Sequence, residues 1–119
     1  MQNIDFQYLF MTAEGRINRQ PWWIGVGILF VVGLVALIIF GTDGLLSFVV
    51  QILLMLAGLM LHIKRCHDRD KSGWWCVLLF IPFVGLIWAI IDLGILEGTK
   101  GDNRFGPDPL AGQVRAGRP

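Results

Sequence analysis

Hydrophobic positions in this chain gather into three long runs, 22–40, 45–63 and 74–96, separated by short polar segments. The first run follows Arg16-Ile17-Asn18-Arg19-Gln20-Pro21 and carries no charge through Phe40. As a helix it reaches about 28 Å, the thickness of a hydrocarbon core. Pro21 suits a first helical turn, where its missing N–H is not needed, and Asn18 or Gln20 can cap that turn. Trp22 and Trp23 stand where interfacial aromatics belong. The pattern predicts a transmembrane helix over 22–40, with Gly25, Gly27 and Gly33 permitting close approach of a neighbour.

Gly41-Thr42-Asp43-Gly44 has room only for a tight turn, so the second run, 45–63, returns antiparallel to the first. Two crossings bring the chain back to its starting side. Arg16 and Arg19 therefore share a membrane face with Lys64, Arg65, Arg69 and Lys71, whereas the intervening turn has no base. The positive-inside rule assigns that face, and with it the N-terminus and the connector 64–73, to the cytoplasm.

The third run carries Pro82-Phe83-Val84-Gly85 near its middle. Two readings are open: a single kinked span, or a re-entrant hairpin turning at those residues. The tail bases Lys100, Arg104, Arg115 and Arg118 favour a hairpin, which keeps the tail inside. Length favours a single span, because each hairpin arm has only about ten residues and its turn would need burial against protein. The single span is the expectation. Before the first run, segment 1–21 predicts a short interfacial helix with Ile4, Tyr8 and Met11 on one side. The tail 97–119 is rich in Gly and Pro, which is turn chemistry, and its last residues, 110–119, are expected to be mobile. A cleaved signal peptide is not expected, since the first run exceeds a signal core and no small-x-small site follows.

Composition agrees with this pattern. Of 119 residues, 55% are hydrophobic and 16% charged, with a mean hydropathy of +0.62; soluble domains average about 25% charged residues. The formal net charge of +1 gives no general affinity for nucleic acid. Cys66 and Cys76 define no disulfide framework and read as free thiols. The fold class is all-α and integral to the membrane, in one domain.

Candidate chemistry concentrates in the connector Lys64-Arg65-Cys66-His67-Asp68-Arg69-Asp70-Lys71-Ser72-Gly73. His67-Asp68 invites a metal-dependent hydrolase, and His62, Cys66, His67 and Cys76 a zinc site, but their spacing matches no standard zinc pattern. A structural role is favoured, with no catalytic residue, metal or cofactor assigned. His67 and Asp68 bond a turn or a helix end, Asp70 takes a position tolerant of left-handed geometry, and Ser72 caps the third segment ahead of Trp74. Arg16, Arg19 and Arg65 converge with Asp68 on one face, which permits salt bridges between the first helix and the connector. Within the spans, Gln51 suits a bond between helices, while His62 and Asp92 lie close enough to helix ends to reach the interface.

These residues carry a family resemblance. The chain resembles the domain of unknown function 805 family, small bacterial inner-membrane proteins of the YhaH/YhaI-like type. The likeness rests on four motifs in order. They are Gly15-Arg16-Ile17-Asn18-Arg19, then Arg65-x-His67-Asp68 with Ser72-Gly73-Trp74-Trp75, then Ile81-Pro82 with Gly85, and Gly101-x-Asn103-Arg104-Phe105-Gly106-Pro107-Asp108-Pro109. Cys66 and Asp70 depart from it, leucine and glycine or asparagine being more usual there. The resemblance implies a small multi-helix inner-membrane protein and brings no established activity.

The expected function is a non-catalytic structural or regulatory component whose cytoplasmic face binds a protein partner or anionic lipid headgroups. The candidate network comprises Arg16, Arg19, Lys64, Arg65, His67, Asp68, Ser72, Trp74, Asn103 and Arg104. The alternative is a small homo-oligomeric transporter or channel, and a metal-dependent membrane enzyme ranks third.

Overall fold

The computed structural model describes residues 6–109, and every regular element in them is helical. Helix α1 is Phe6–Met11, α2 is Arg19–Phe40 and α3 is Leu45–Asp68. A 3-10 helix, Gly73–Phe80, follows; then come α4, Val84–Trp88, and a π-helical stretch, Ala89–Ile95.

Helices α2 and α3 form the expected hairpin. Both are long and apolar enough to cross a membrane. Gly41 and Gly44 turn the chain with φ of +69° and +95°, a region open to glycine without a Cβ clash. The helices touch closely at Gly25, where a Cβ would come within 2.7 Å of Leu61 Cδ1. Gly27 and Gly33 face open space instead and serve no such contact. Gln51 also departs from expectation: it donates to Ser47 on its own helix at 3.0 Å, and Ser47 donates to the Gly41 carbonyl at 2.8 Å.

Both helices outrun their apolar stretches at the basic end. Helix α2 begins at Arg19, and Asn18 enters it in extended geometry with its carbonyl accepting from Trp22 N at 3.4 Å. Neither side chain proposed as a cap fills that role, and the Asn18 side chain is buried without capping the helix. Helix α3 continues through Lys64 and Arg65 to Asp68, because those side chains find partners on other segments and no Gly or Pro interrupts until Gly73. Asp70 then takes φ +57°, with its N–H on the His67 carbonyl at 2.9 Å and that of Lys71 on the Cys66 carbonyl at 2.8 Å. This paired 6→1 and 5→2 bonding is a Schellman termination with aspartate in the left-handed position.

The third apolar run is not one span. Its first arm is the 3-10 helix, the chain reverses at Ile81-Pro82-Phe83, and the second arm returns through α4 and the π-helical stretch. Phe83 adopts φ +65° at the turn. Gly85 backs so closely onto the Leu78 and Leu79 backbone that a Cβ there would overlap it. A 3-10 helix rises about 2.0 Å per residue, so this arm reaches about 16 Å, and a hairpin that turns back has no need to reach the far side. Three amides at the turn are bonded within the hairpin, which lessens its need for protein around it: Ile81 to Leu78 O, Val84 to Pro82 O and Gly85 to Ile81 O.

Leu9, Ile17, Trp22, Leu61, Cys66, Cys76, Ala89 and Leu93 form the buried core. It lies beneath the polar end of the hairpin, where α1, the base of α2 and α3 and both arms meet. Leu9 points into this core, while Tyr8 and Met11, expected on one side of an interfacial helix, are 37% and 74% exposed. Ile4 and the tail 110–119 lie outside the described residues.

Candidate functional site

Arg16, Arg65 and Asp68 meet at the centre of the polar end. Asp68 closes the last turn of α3, three residues after Arg65, and accepts from Arg65 Nη1 at 2.5 Å through Oδ2. Arg16, from the segment ahead of α2, donates Nε to Oδ1 at 2.9 Å. All three side chains are at most 2% exposed. A carboxylate held between two guanidinium groups in a dry setting is stable only if the remaining donors are also occupied. They are. Arg16 donates to the carbonyls of Thr99 at 2.6 Å, Gly101 at 2.9 Å and Gly106 at 3.3 Å. Arg65 donates to those of Leu93 and Leu96, both at 2.7 Å.

The tail is thereby folded back over the connector. Thr99 N–H donates to the Asp68 carbonyl at 2.7 Å. Gly98 presses so closely on the Asp68 carboxylate that a side chain there would collide with it. His67 Nδ1 lies 2.8 Å from the Gly15 carbonyl, and its ring stacks on Phe105 at 4.0 Å between centroids with 2° between planes. Asn103 Nδ2 donates to the His67 carbonyl at 2.9 Å, and the Arg104 guanidinium lies over the Phe105 ring. Asp108 and Asp102 brace this tail loop by accepting from the Gly101 and Asp108 amides.

Lys64, wholly buried, donates to the carbonyls of Leu9, at 2.8 Å, and Thr12, which secures α1. Tyr8 beside it donates to the Arg16 carbonyl at 3.3 Å. Burial pushes the Tyr8 hydroxyl above its ordinary pKa, against the opposing pull of that bond. Arg19 reaches the Ile95 carbonyl at 2.7 Å. Ser72 caps the 3-10 helix by accepting from Trp74 N at 3.3 Å. The Trp74 side chain stands apart from the network, 82% exposed.

A second carboxylate centre forms around Asp92, near the end of the third segment. Asp92, 5% exposed, accepts from Arg69 Nε at 2.9 Å, Lys71 Nζ at 2.7 Å and Trp88 Nε1 at 3.0 Å. Arg69 also donates to the Glu97 carbonyl at 2.6 Å. The signal available for it was an acid four residues after a tryptophan in an otherwise uncharged run. His62 stays inside, its Nδ1 accepting from Trp22 Nε1 at 3.0 Å across α2 and α3.

The imagined zinc set does not assemble, and among the described residues no three His, Cys, Asp or Glu side chains converge as metal ligands. His62 is turned to Trp22 and His67 to Gly15. The two thiols do meet, free and buried, with sulfurs 3.8 Å apart. The connector is thus a polar cap: charges drawn from four segments, neutralised internally, closing the end of a helical hairpin.

A family model described as protein of unknown function (DUF805) matches residues 10–107. The chain is 37% identical over 108 residues to inner membrane protein YhaH of Escherichia coli (strain K12), covering 84% of this chain and 88% of that one. It is also 37% identical over 107 residues to inner membrane protein YhaI of the same strain, covering 87% and 90%. To the uncharacterized protein YiiR, also of that strain, it is 29% identical over 130 residues, covering 86% and 88%. No solved structure matches it. With the match spanning the hairpin, the cap and the tail, the chain belongs to the DUF805 family of inner-membrane proteins of unknown function.

Proposed function

We propose that this protein is a non-catalytic structural component of the inner membrane. Two spanning helices hold a rigid polar cap at the cytoplasmic face, and anionic headgroups are met by the cap's edge rather than its centre. One observation carries the reading: Arg16 and Arg65 are buried around Asp68, and their remaining donors are spent on tail and hairpin carbonyls. Guanidinium groups so committed hold segments together and have nothing left for a phosphate. Two of the more exposed bases also have carboxylates beside them, Lys100 near Glu97 at 3.6 Å and Arg104 near Asp70 at 3.3 Å. Lys71 is paired as well, with Asp92 at 2.7 Å, and differs only in its setting. It is 28% exposed, its ammonium lies 4.8 Å from the Trp75 ring centroid, and exposed Trp74 is close by in sequence. A base beside exposed tryptophans is the chemistry of a membrane interface.

The test is thermal unfolding in nanodiscs of phosphatidylcholine with and without phosphatidylglycerol. Phosphatidylglycerol raises the Tm of the native chain. Lys71→Gln loses that rise, and Asp68→Asn lowers the Tm in both lipids. Lys71→Gln retaining the full rise would overturn the headgroup assignment, and Asp68→Asn unfolding like the native chain would overturn the structural one.

A further inference from the structure

The two arms of the third segment are too short to cross a bilayer and nearly equal in reach. The 3-10 helix Gly73–Phe80 extends about 16 Å at 2.0 Å per residue. The returning arm, Val84–Ile95, extends at most about 18 Å, the α-helical figure at 1.5 Å per residue, against about 33 Å for α2 and a hydrocarbon core of about 30 Å. Both arms start and finish at the cap, which fixes their depth. Lys71 and Arg69 hold Asp92, Arg65 holds the Leu96 carbonyl and Arg69 that of Glu97.

The tip suits hydrocarbon. Residues 74–91 contain no charge. Phe80, Ile81 and Phe83 are 65%, 45% and 81% exposed around the turn. Turns are excluded from lipid because their amides go unpaired. Here three of the four amides over residues 81–85, those of Ile81, Val84 and Gly85, donate within the hairpin, and Pro82 has no amide to satisfy. Among the described residues, only α2 and α3 extend to the end away from the cap.

We propose that the hairpin of residues 73–95 lies among the acyl chains of the cap-side leaflet alone, making the protein a wedge that favours membrane convex on the cap side. Four helical segments then displace lipid in one leaflet and two in the other. Shape asymmetry of this kind couples a protein to curvature, as one-sided insertion of amphipathic helices does.

The test uses the full chain in phosphatidylcholine–phosphatidylglycerol vesicles. A spin label is placed at Phe83→Cys or Trp74→Cys, with both native thiols buried. The Phe83 label is expected near the bilayer midplane, accessible to oxygen and shielded from a water-soluble nickel chelate, and the Trp74 label at headgroup depth. In a mixture of small sonicated and large extruded vesicles, cap-outward protein should reach a higher protein-to-lipid ratio in the small ones. Phe80→Ala with Phe83→Ala, which thins the tip and leaves the cap intact, should lower that ratio. A Phe83 label at the far headgroups would overturn the proposal. So would a label shielded from both quenchers, the mark of a second copy covering the tip, or equal ratios in both vesicle sizes.

Discussion

Arg16 and Asp68, 52 positions apart in sequence, are joined by a buried hydrogen bond of 2.9 Å. Arg16 precedes the first spanning helix and Asp68 ends the second, so this pair closes the hairpin at its base. Removing one partner from such a pair leaves a desolvated charge, which costs about 3 kcal/mol. Asp68→Asn, which strands both Arg16 and Arg65, is expected to destabilise by about that amount in a detergent unfolding titration, and Arg16→Gln by less, because Arg65 still pairs with Asp68. The double variant should lose less than the sum, because the second substitution removes the charge that the first one stranded.

Gly98 is the point at which the tail passes the Asp68 carboxylate. Gly98→Ala puts a methyl group into occupied space, so about 2 kcal/mol of overpacking is expected. Displacement of the tail should accompany the loss, read as faster proteolysis within residues 99–109. Resistance equal to that of the native chain would mean that the tail is held elsewhere.

Phe105 stacks on His67 at the surface of the cap. Phe105→Ala should weaken tail docking by about 1 kcal/mol, the scale of one aromatic pair. The effect should stay local. Amide exchange should quicken over residues 101–107, with α2 and α3 unchanged.

Cys66 and Cys76 are 0% and 4% exposed. In the folded protein both should resist maleimide, and both should react after denaturation, as counted by mass spectrometry. Reaction of either under native conditions would show the core beneath the cap to be open.

The two spanning helices were legible in the sequence because burial in lipid leaves an uninterrupted apolar run. Their ends were not. Lys64 and Arg65 read as a passage into water, yet their partners are carbonyls of α1 and the third segment, which no local pattern announces. The convergence of Arg16 and Arg65 on Asp68 was foreseen from topology, since two crossings put all three on one face. Arg19 and Trp74, counted with them, went elsewhere: one to a backbone carbonyl, the other to the exterior. The hairpin turn was visible in Pro82-Phe83-Val84-Gly85 and in the tail's bases. Arm length points the other way only when each arm is measured against a full crossing, which a hairpin that turns back does not make. Asp92 was misplaced for the same reason. In a single span it lies at the far end; in a hairpin it returns to Arg69 and Lys71.

The return of the third segment to the cap is the claim on which the rest stands, and labelling of single cysteines from either side of the membrane tests it most directly. Gln20→Cys marks the cap end of the hairpin, Thr42→Cys the opposite turn and Lys100→Cys the tail, each in the otherwise native chain. An impermeant maleimide should reach Gln20→Cys and Lys100→Cys from the same side, the cytoplasmic one, and Thr42→Cys from the other. Lys100→Cys labelling together with Thr42→Cys would make the third segment a full span and undo the cap.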